Sequence, residues 1–178
     1  ILMMVADILF KEPEVKEIAV LETSLGVIEI ELDMVKAPKT VENFVAYVEQ
    51  GFYNGLVFHR VIGGFMVQGG GFKPDGTWMS PTRDPVESEA GNGLKNLRGT
   101  VAMARSSDPD SATSQFYINT VDNSNLDYPK PDGYGYTVFG KVVKGMDVVD
   151  DIEASQTGSK QTPYGAMDDW PTENIVIV

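Results

Sequence analysis

Apolar and polar positions alternate first around Ile28, Ile30 and Leu32, which are separated by Glu29 and Glu31. This two-residue period marks a strand with one buried face. Residues 19–22 precede it across Thr23-Ser24-Leu25-Gly26, which predicts a hairpin. The period then changes. Pro38 opens a helix in which Val41, Phe44, Val45 and Val48 fall at i, i+3, i+4 and i+7, and Gly51 ends it. Two apolar runs, 57–62 and 65–67, flank Gly63-Gly64 and read as adjacent strands. Residues 71–99 are rich in Gly, Pro, Asn and charge and read as a loop, a length that in compact domains often serves function. Further strands are predicted at 100–103, 116–119 and 136–143, then a helix over 145–152 with Met146, Val149 and Ile152 inward. A loop over 154–172 leads to a last strand at 174–178. Eight short strands, two helices and no βαβ alternation predict a mainly β protein: a closed eight-stranded antiparallel barrel capped by two α-helices. Residues 1–18 read as an N-terminal extension and 19–178 as one domain.

One residue breaks the apolar pattern. Arg60 sits in the middle of the run at 57–62. A guanidinium keeps its charge and is seldom buried unpaired. Two placements fit: the rim of an apolar pocket beside Phe65, Met66 and Gln68, or the solvent face of an amphipathic strand. His59, the only histidine, is one step away on the strand. It is therefore expected on the opposite face, in a structural hydrogen bond.

Charge and composition narrow the chemistry. With 26 acidic and 14 basic residues the net charge is −12, which argues against a nucleic-acid or anionic-membrane partner. The acidity reads as solubility. Without cysteine there is no disulfide, thiolate metal site or cysteine nucleophile. A single histidine with no G-x-S-x-G turn leaves no serine triad and no zinc set. Asp108, Asp110 and Ser111 lack the rest of a calcium loop, and Asp150, Asp151, Asp168 and Asp169 read as solvated. No apolar run reaches the roughly 20 residues of a membrane span. The first residue is Ile rather than Met and the apolar start lacks a basic leader, so removal of some upstream sequence is expected.

The segment 58–72, F-H-R-V-I-G-G-F-M-V-Q-G-G-G-F, resembles the signature of the cyclophilins, the cyclosporin-binding class of peptidyl-prolyl cis-trans isomerases. G-T-V-A-M-A-R (99–105), S-Q-F-Y-I-N (114–119), N-L-D (125–127) and 136–150 follow in the family's order, so the resemblance runs from about residue 20 to 178. The variant forms look bacterial. The resemblance implies Arg60 as the catalytic residue. Phe65, Met66, Tyr117 and Leu126 would hold the substrate proline, and Gln68, Ala104, Arg105 and Gln115 would line the groove beside it, with Tyr136 at its edge. Phe116 would point into the barrel. Arg105 at the groove edge suits acidic or polar neighbours of the proline, or plain solvation.

Three positions depart from the commoner pattern. Tyr117 stands where most members have Phe, and its hydroxyl is expected to reach water or substrate. Tyr136 replaces a histidine common in eukaryotic members. Asn125 stands where cyclosporin-sensitive members have Trp, which removes apolar area and an N–H donor; weak cyclosporin binding is expected.

The implied reaction suits this residue set. Rotation about a peptide bond faces a barrier of about 18–20 kcal/mol, and before proline it takes tens to hundreds of seconds. No bond breaks, so no metal, cofactor or nucleophile is called for. In the twisted state the nitrogen regains its lone pair, and a fixed guanidinium donor stabilises that state above either ground state. Expected partners are proline-containing peptides and unfolded or folding proteins, handled by a monomer. A non-catalytic chaperone or adaptor binding proline-containing segments is the alternative. The motifs look nearer to periplasmic bacterial members, with the cytoplasm as the other compartment.

Overall fold

The alternation around Ile28 produces the first hairpin of the fold. β1 (Glu17–Thr23) and β2 (Gly26–Leu32) pair antiparallel, with Leu21 opposite Ile28 and Ala19 opposite Ile30. All four side chains are buried. This computed structural model describes residues 16–178; of the expected extension, residues 1–15 lie outside the described residues. β1 begins at Glu17, two residues before the expected domain boundary.

Helix α1 (Pro38–Glu49) starts at its proline and buries Thr40, Val41, Asn43, Phe44 and Tyr47. Val48, expected inward, is 40% exposed. Tyr47 takes its place, because i+3 from Phe44 lies nearer the centre of the buried stripe than i+4. β3 (Val57–Ile62) and β4 (Met66–Phe72) form the second hairpin. β5 (Thr100–Met103), β6 (Phe116–Asn119), β7 (Val138–Lys144) and α2 (Met146–Glu153) follow close to their expected positions.

These seven strands form one sheet in the order β1-β2-β7-β5-β6-β4-β3. Its concave side carries the main core. There Phe44 packs edge-on against Phe116 at 5.6 Å and lies 5.1 Å from Phe139. Each such buried ring contributes about 1.5–3 kcal/mol relative to exposure.

The fold is mainly β with two helices, as expected, but the continuous ladder stops at seven strands rather than closing at eight. The terminal segment 174–178, expected as a strand, makes only isolated bridges: Val57 with Val176 and Thr23 with Ile177. Its backbone bonds are divided between both sheet edges, as in Ser24 N to Val176 O (2.9 Å) and Phe58 N to Ile175 O (3.0 Å). A second correction concerns 154–172, expected as a loop. It contains a separate hairpin, β8 (Thr157–Thr162) and β9 (Gly165–Pro171). Its strands are largely polar, and all but Trp170 and Pro171 are exposed or half-buried, so they lack the alternation that would have marked them.

Candidate active site

Strict alternation along β3 would place Phe58, Arg60 and Ile62 on one face. The register prevents this. Phe58 lies opposite Gly69 and Arg60 opposite Gln68, so β3 carries one extra residue, His59. A bulge of this kind re-aims the side chains that follow it. Phe58 consequently enters the main core, while Arg60 emerges exposed on the outer face. Exposure alone fits either of the two placements open for Arg60. The arginine ion pairs among the described residues use Arg83, Arg98 and Arg105, not Arg60.

Arg60 nevertheless stands beside an apolar surface. One transverse row of the sheet reads Arg60, Gln68, Tyr117, Ala102 and Val138. Met66, Ala102, Tyr117, Leu126 and Val138 form a second buried cluster, separate from the main core, with Phe65, Ala104 and Tyr136 packed half-buried against it. Thus Phe65, Met66, Tyr117 and Leu126 are brought together on the outer face next to Arg60. Phe116 turns the other way, into the core.

The glycine run shapes the neighbouring groove. Gly70 has φ +88°, and a side chain there would strike Tyr53 and the Ser114 carbonyl. A Cβ at Gly71 would lie 2.5 Å from Cδ of Gln115, so glycine leaves room for that side chain. Gln68 Nε2 donates to Gln115 Oε1 at 3.1 Å, which joins the two expected groove amides.

Below the apolar cluster lies a polar network that the pattern of apolar residues gave no means to find. The Tyr117 hydroxyl donates to Asn96 Oδ1 at 2.8 Å. It therefore faces the interior rather than water or substrate, which corrects the expectation for this hydroxyl. Burial, then the neighbouring Tyr136 and Asp127, pushes its pKa well above the ordinary value of 10, so it stays a donor. Asn119 and Asn123 complete the network: Asn119 Nδ2 donates to Asn96 Oδ1 (3.2 Å), and Asn123 Nδ2 donates to the Phe65 carbonyl (2.9 Å). Three asparagines in separate segments carry no spacing that sequence reading could use.

Arg105 also differs from expectation. Its side chain is 4% exposed and is paired with Asp132 at 2.8 Å. It donates to the Gly135 carbonyl from Nε (3.1 Å) and Nη2 (2.6 Å), and to the Ser106 carbonyl (2.9 Å). Its guanidinium lies 4.3 Å from the centre of the Tyr136 ring, and that ring meets Tyr117 edge-on at 6.0 Å. The donors are thus spent on the protein, and the hydrogen bond from Arg105 holds the Asp132 carboxyl below its ordinary range. Neither a solvated arginine nor one free to meet acidic substrate residues describes it. Arg105→Ala is expected to destabilise the fold by about 1.5–3 kcal/mol, the cost of losing charge-assisted hydrogen bonds. Urea unfolding would check this, and a change below about 0.5 kcal/mol would contradict it.

His59, the extra residue of the bulge, is 2% exposed. It packs against Phe72 (4.7 Å) and Trp170 (5.9 Å), beneath the β8–β9 hairpin. The expected structural hydrogen bond is missing at Nδ1, which has no partner among the described residues. Burial, and secondarily the Arg60 charge, lowers its pKa to about 4. Asp150, expected to be solvated, pairs with Arg98 through two bonds of 2.8 Å. An open cleft of about 530 Å³ lined by Lys39, Glu42, Asn43, Arg83 and Glu87 shares no residue with the groove.

The chain is similar to known proteins over nearly all of its described length. A family model described as cyclophilin type peptidyl-prolyl cis-trans isomerase matches residues 18–178. Peptidyl-prolyl cis-trans isomerase A of Dickeya dadantii (strain 3937) is 57% identical over 157 residues, covering 88% of this chain and 80% of that protein. Peptidyl-prolyl cis-trans isomerase B of Escherichia coli (strain K12) is 53% identical over 144 residues, covering 80% and 85%. Among solved structures, a Cryptosporidium parvum cyclophilin type peptidyl-prolyl cis-trans isomerase crystallised in the presence of the dipeptide Ala-Pro aligns with a TM-score of 0.73 at 25% identity, covering 90% of this chain and 95% of that one.

Proposed function

The chain belongs to the cyclophilin-type peptidyl-prolyl cis-trans isomerases, and from that premise we propose that Arg60 is the residue through which it accelerates rotation about X-Pro bonds. The supporting observation is an exposed arginine, set outward by a bulge, in one sheet row with Gln68 and Tyr117 and beside an apolar cluster separate from the core. Phe65, Met66, Tyr117 and Leu126 would clamp the proline ring by apolar contact. The free guanidinium would donate to the amide nitrogen as its lone pair returns, and would hold the preceding carbonyl. Gln68, Gln115 and Ala104 would line the peptide on the near side, and Tyr136 would border the pocket. Arg105 would contribute its backbone, since its side chain is committed to Asp132 and Gly135.

The test is exchange spectroscopy on a short Ala-Pro peptide with catalytic amounts of protein. Cross-peaks between the cis and trans forms are expected within seconds, against an uncatalysed exchange of tens to hundreds of seconds. Binding of the peptide without faster exchange would favour the non-catalytic alternative.

We read residues 174–178 as the eighth stave of the barrel, since their backbone bonds reach both sheet edges. The loss of the Trp indole at Asn125, an exposed residue beside Leu126, supports weak cyclosporin binding. In a direct calorimetric titration no tight complex is expected, and a nanomolar one would contradict this reading.

A further inference from the structure

Three of the four walls of the proposed proline pocket come from three different segments, and the fourth, Met66, begins β4. Tyr117 lies on β6, Phe65 in the β3–β4 turn, and Leu126 in a short 3-10 turn over Ser124–Leu126. Sheet pairing holds Tyr117, and the Phe65 carbonyl accepts from Thr120 N just beyond β6 (3.2 Å), but Leu126 lies outside the sheet. We infer that Asn96 is the positioning residue that ties them together.

Asn96 is 1% exposed. Its Oδ1 accepts from the Tyr117 hydroxyl (2.8 Å) and from Asn119 Nδ2 (3.2 Å), which uses both lone pairs. On the other side, its backbone N–H (2.6 Å) and its Nδ2 (3.1 Å) both donate to Asp127 Oδ1, one residue beyond Leu126. The Asn96 carbonyl accepts from Asn123 N at 2.7 Å, and Asn123 O accepts from Leu126 N at 3.0 Å. Asn123 Nδ2 then reaches Asn119 Oδ1 (2.8 Å) and the Phe65 carbonyl (2.9 Å). Asn96 and its direct partners Tyr117, Asn119, Asn123 and Asp127 thus link all three walls, beside the bonds from Thr120 N to the Phe65 carbonyl (3.2 Å) and from Tyr136 N to the Leu126 carbonyl (3.0 Å). Buried and satisfied polar networks of this kind fix one arrangement, because every alternative leaves a desolvated group unpaired.

The consequence for the reaction follows from where the network acts. The apolar walls hold the proline ring in the ground and twisted states alike, whereas Arg60 acts on the twisted nitrogen. A loosened pocket therefore raises KM with little change in kcat, the signature of lost uniform binding. An asparagine serving stability alone would lower the unfolding midpoint and leave KM of the folded enzyme as it was.

This inference rests on the proline-pocket reading above, and the experiment separates the two. The full chain is measured with an Ala-Pro peptide as wild type, Asn96→Ala, Tyr117→Phe and the double variant. Asn96→Ala is expected to raise KM about tenfold with kcat within threefold, and Tyr117→Phe to raise KM about threefold. In the double variant the second change adds nothing, since both remove the same link. If wild type itself leaves exchange unaccelerated, the pocket reading fails. If wild type is active but the folded single variants keep KM within twofold, or their effects multiply, Asn96 has no positioning role. Should Asn96→Ala not fold, Tyr117→Phe decides alone: it keeps the ring and drops only the hydroxyl's bond to Asn96, so an unchanged KM overturns the inference.

Discussion

Arg60→Ala is expected to lower kcat/KM on an X-Pro peptide by about 10²–10³-fold, the usual consequence of deleting one preorganised donor to a developing charge. The same variant is expected to keep its stability within about 0.5 kcal/mol of wild type, because Arg60 is exposed and outside the arginine ion pairs among the described residues. The combination carries the diagnostic weight. A structural arginine such as Arg105 would lose stability first. Arg60→Lys keeps the charge but presents a compact ammonium in place of the planar fork, so it is expected to recover only part of the activity. Exchange rates and urea midpoints on the three proteins check both halves. An alanine variant within threefold of wild-type kcat/KM would remove Arg60 from the mechanism.

Acidification is the second large effect, and it comes from the extra residue of the same bulge. His59 is buried against Phe72 and Trp170, and its folded-state pKa is about 4, against 6.5 in an exposed chain. Between those values the unfolded chain binds a proton that the folded chain refuses. The stabilisation from a neutral His59 is therefore complete above about pH 6.5 and declines as the pH falls toward 4. The expected loss is about 2 kcal/mol on going from pH 7 to pH 5, approaching 3 kcal/mol at pH 4. His59→Phe keeps an aromatic ring between Phe72 and Trp170 and cannot titrate. Its unfolding free energy should fall correspondingly less over the same range. Parallel pH profiles for the two proteins would show that the acid sensitivity arises elsewhere, among the carboxylates.

Much of this molecule was legible from local pattern. The alternation of Ile28, Ile30 and Leu32 gave β2 its buried face, and Pro38 and Gly51 bracketed α1, because these signals act over a few residues. The ordered motifs from 58 to 150 carried the family resemblance. The β8–β9 hairpin was missed because its strands cover only a small satellite core around Trp170, and a polar strand shows no period. Tyr47 rather than Val48 faces the core because the helix's rotation is set by what it packs against.

By itself, the sequence determined both helices and most of the strands of the seven-stranded sheet, the acidic charge, the absence of thiol chemistry and the residue types available for an X-Pro isomerase. Tertiary structure decided where those residues point. The bulge at His59 sent Arg60 out to the groove, the Asn96 network turned the Tyr117 hydroxyl inward, and Asp132 with Gly135 claimed the guanidinium of Arg105. Each outcome depends on partners 8 to 30 positions away in the chain or on a register between strands. Buried donors and acceptors must be satisfied by whatever the fold brings within about 3 Å, and no local pattern records which groups those are.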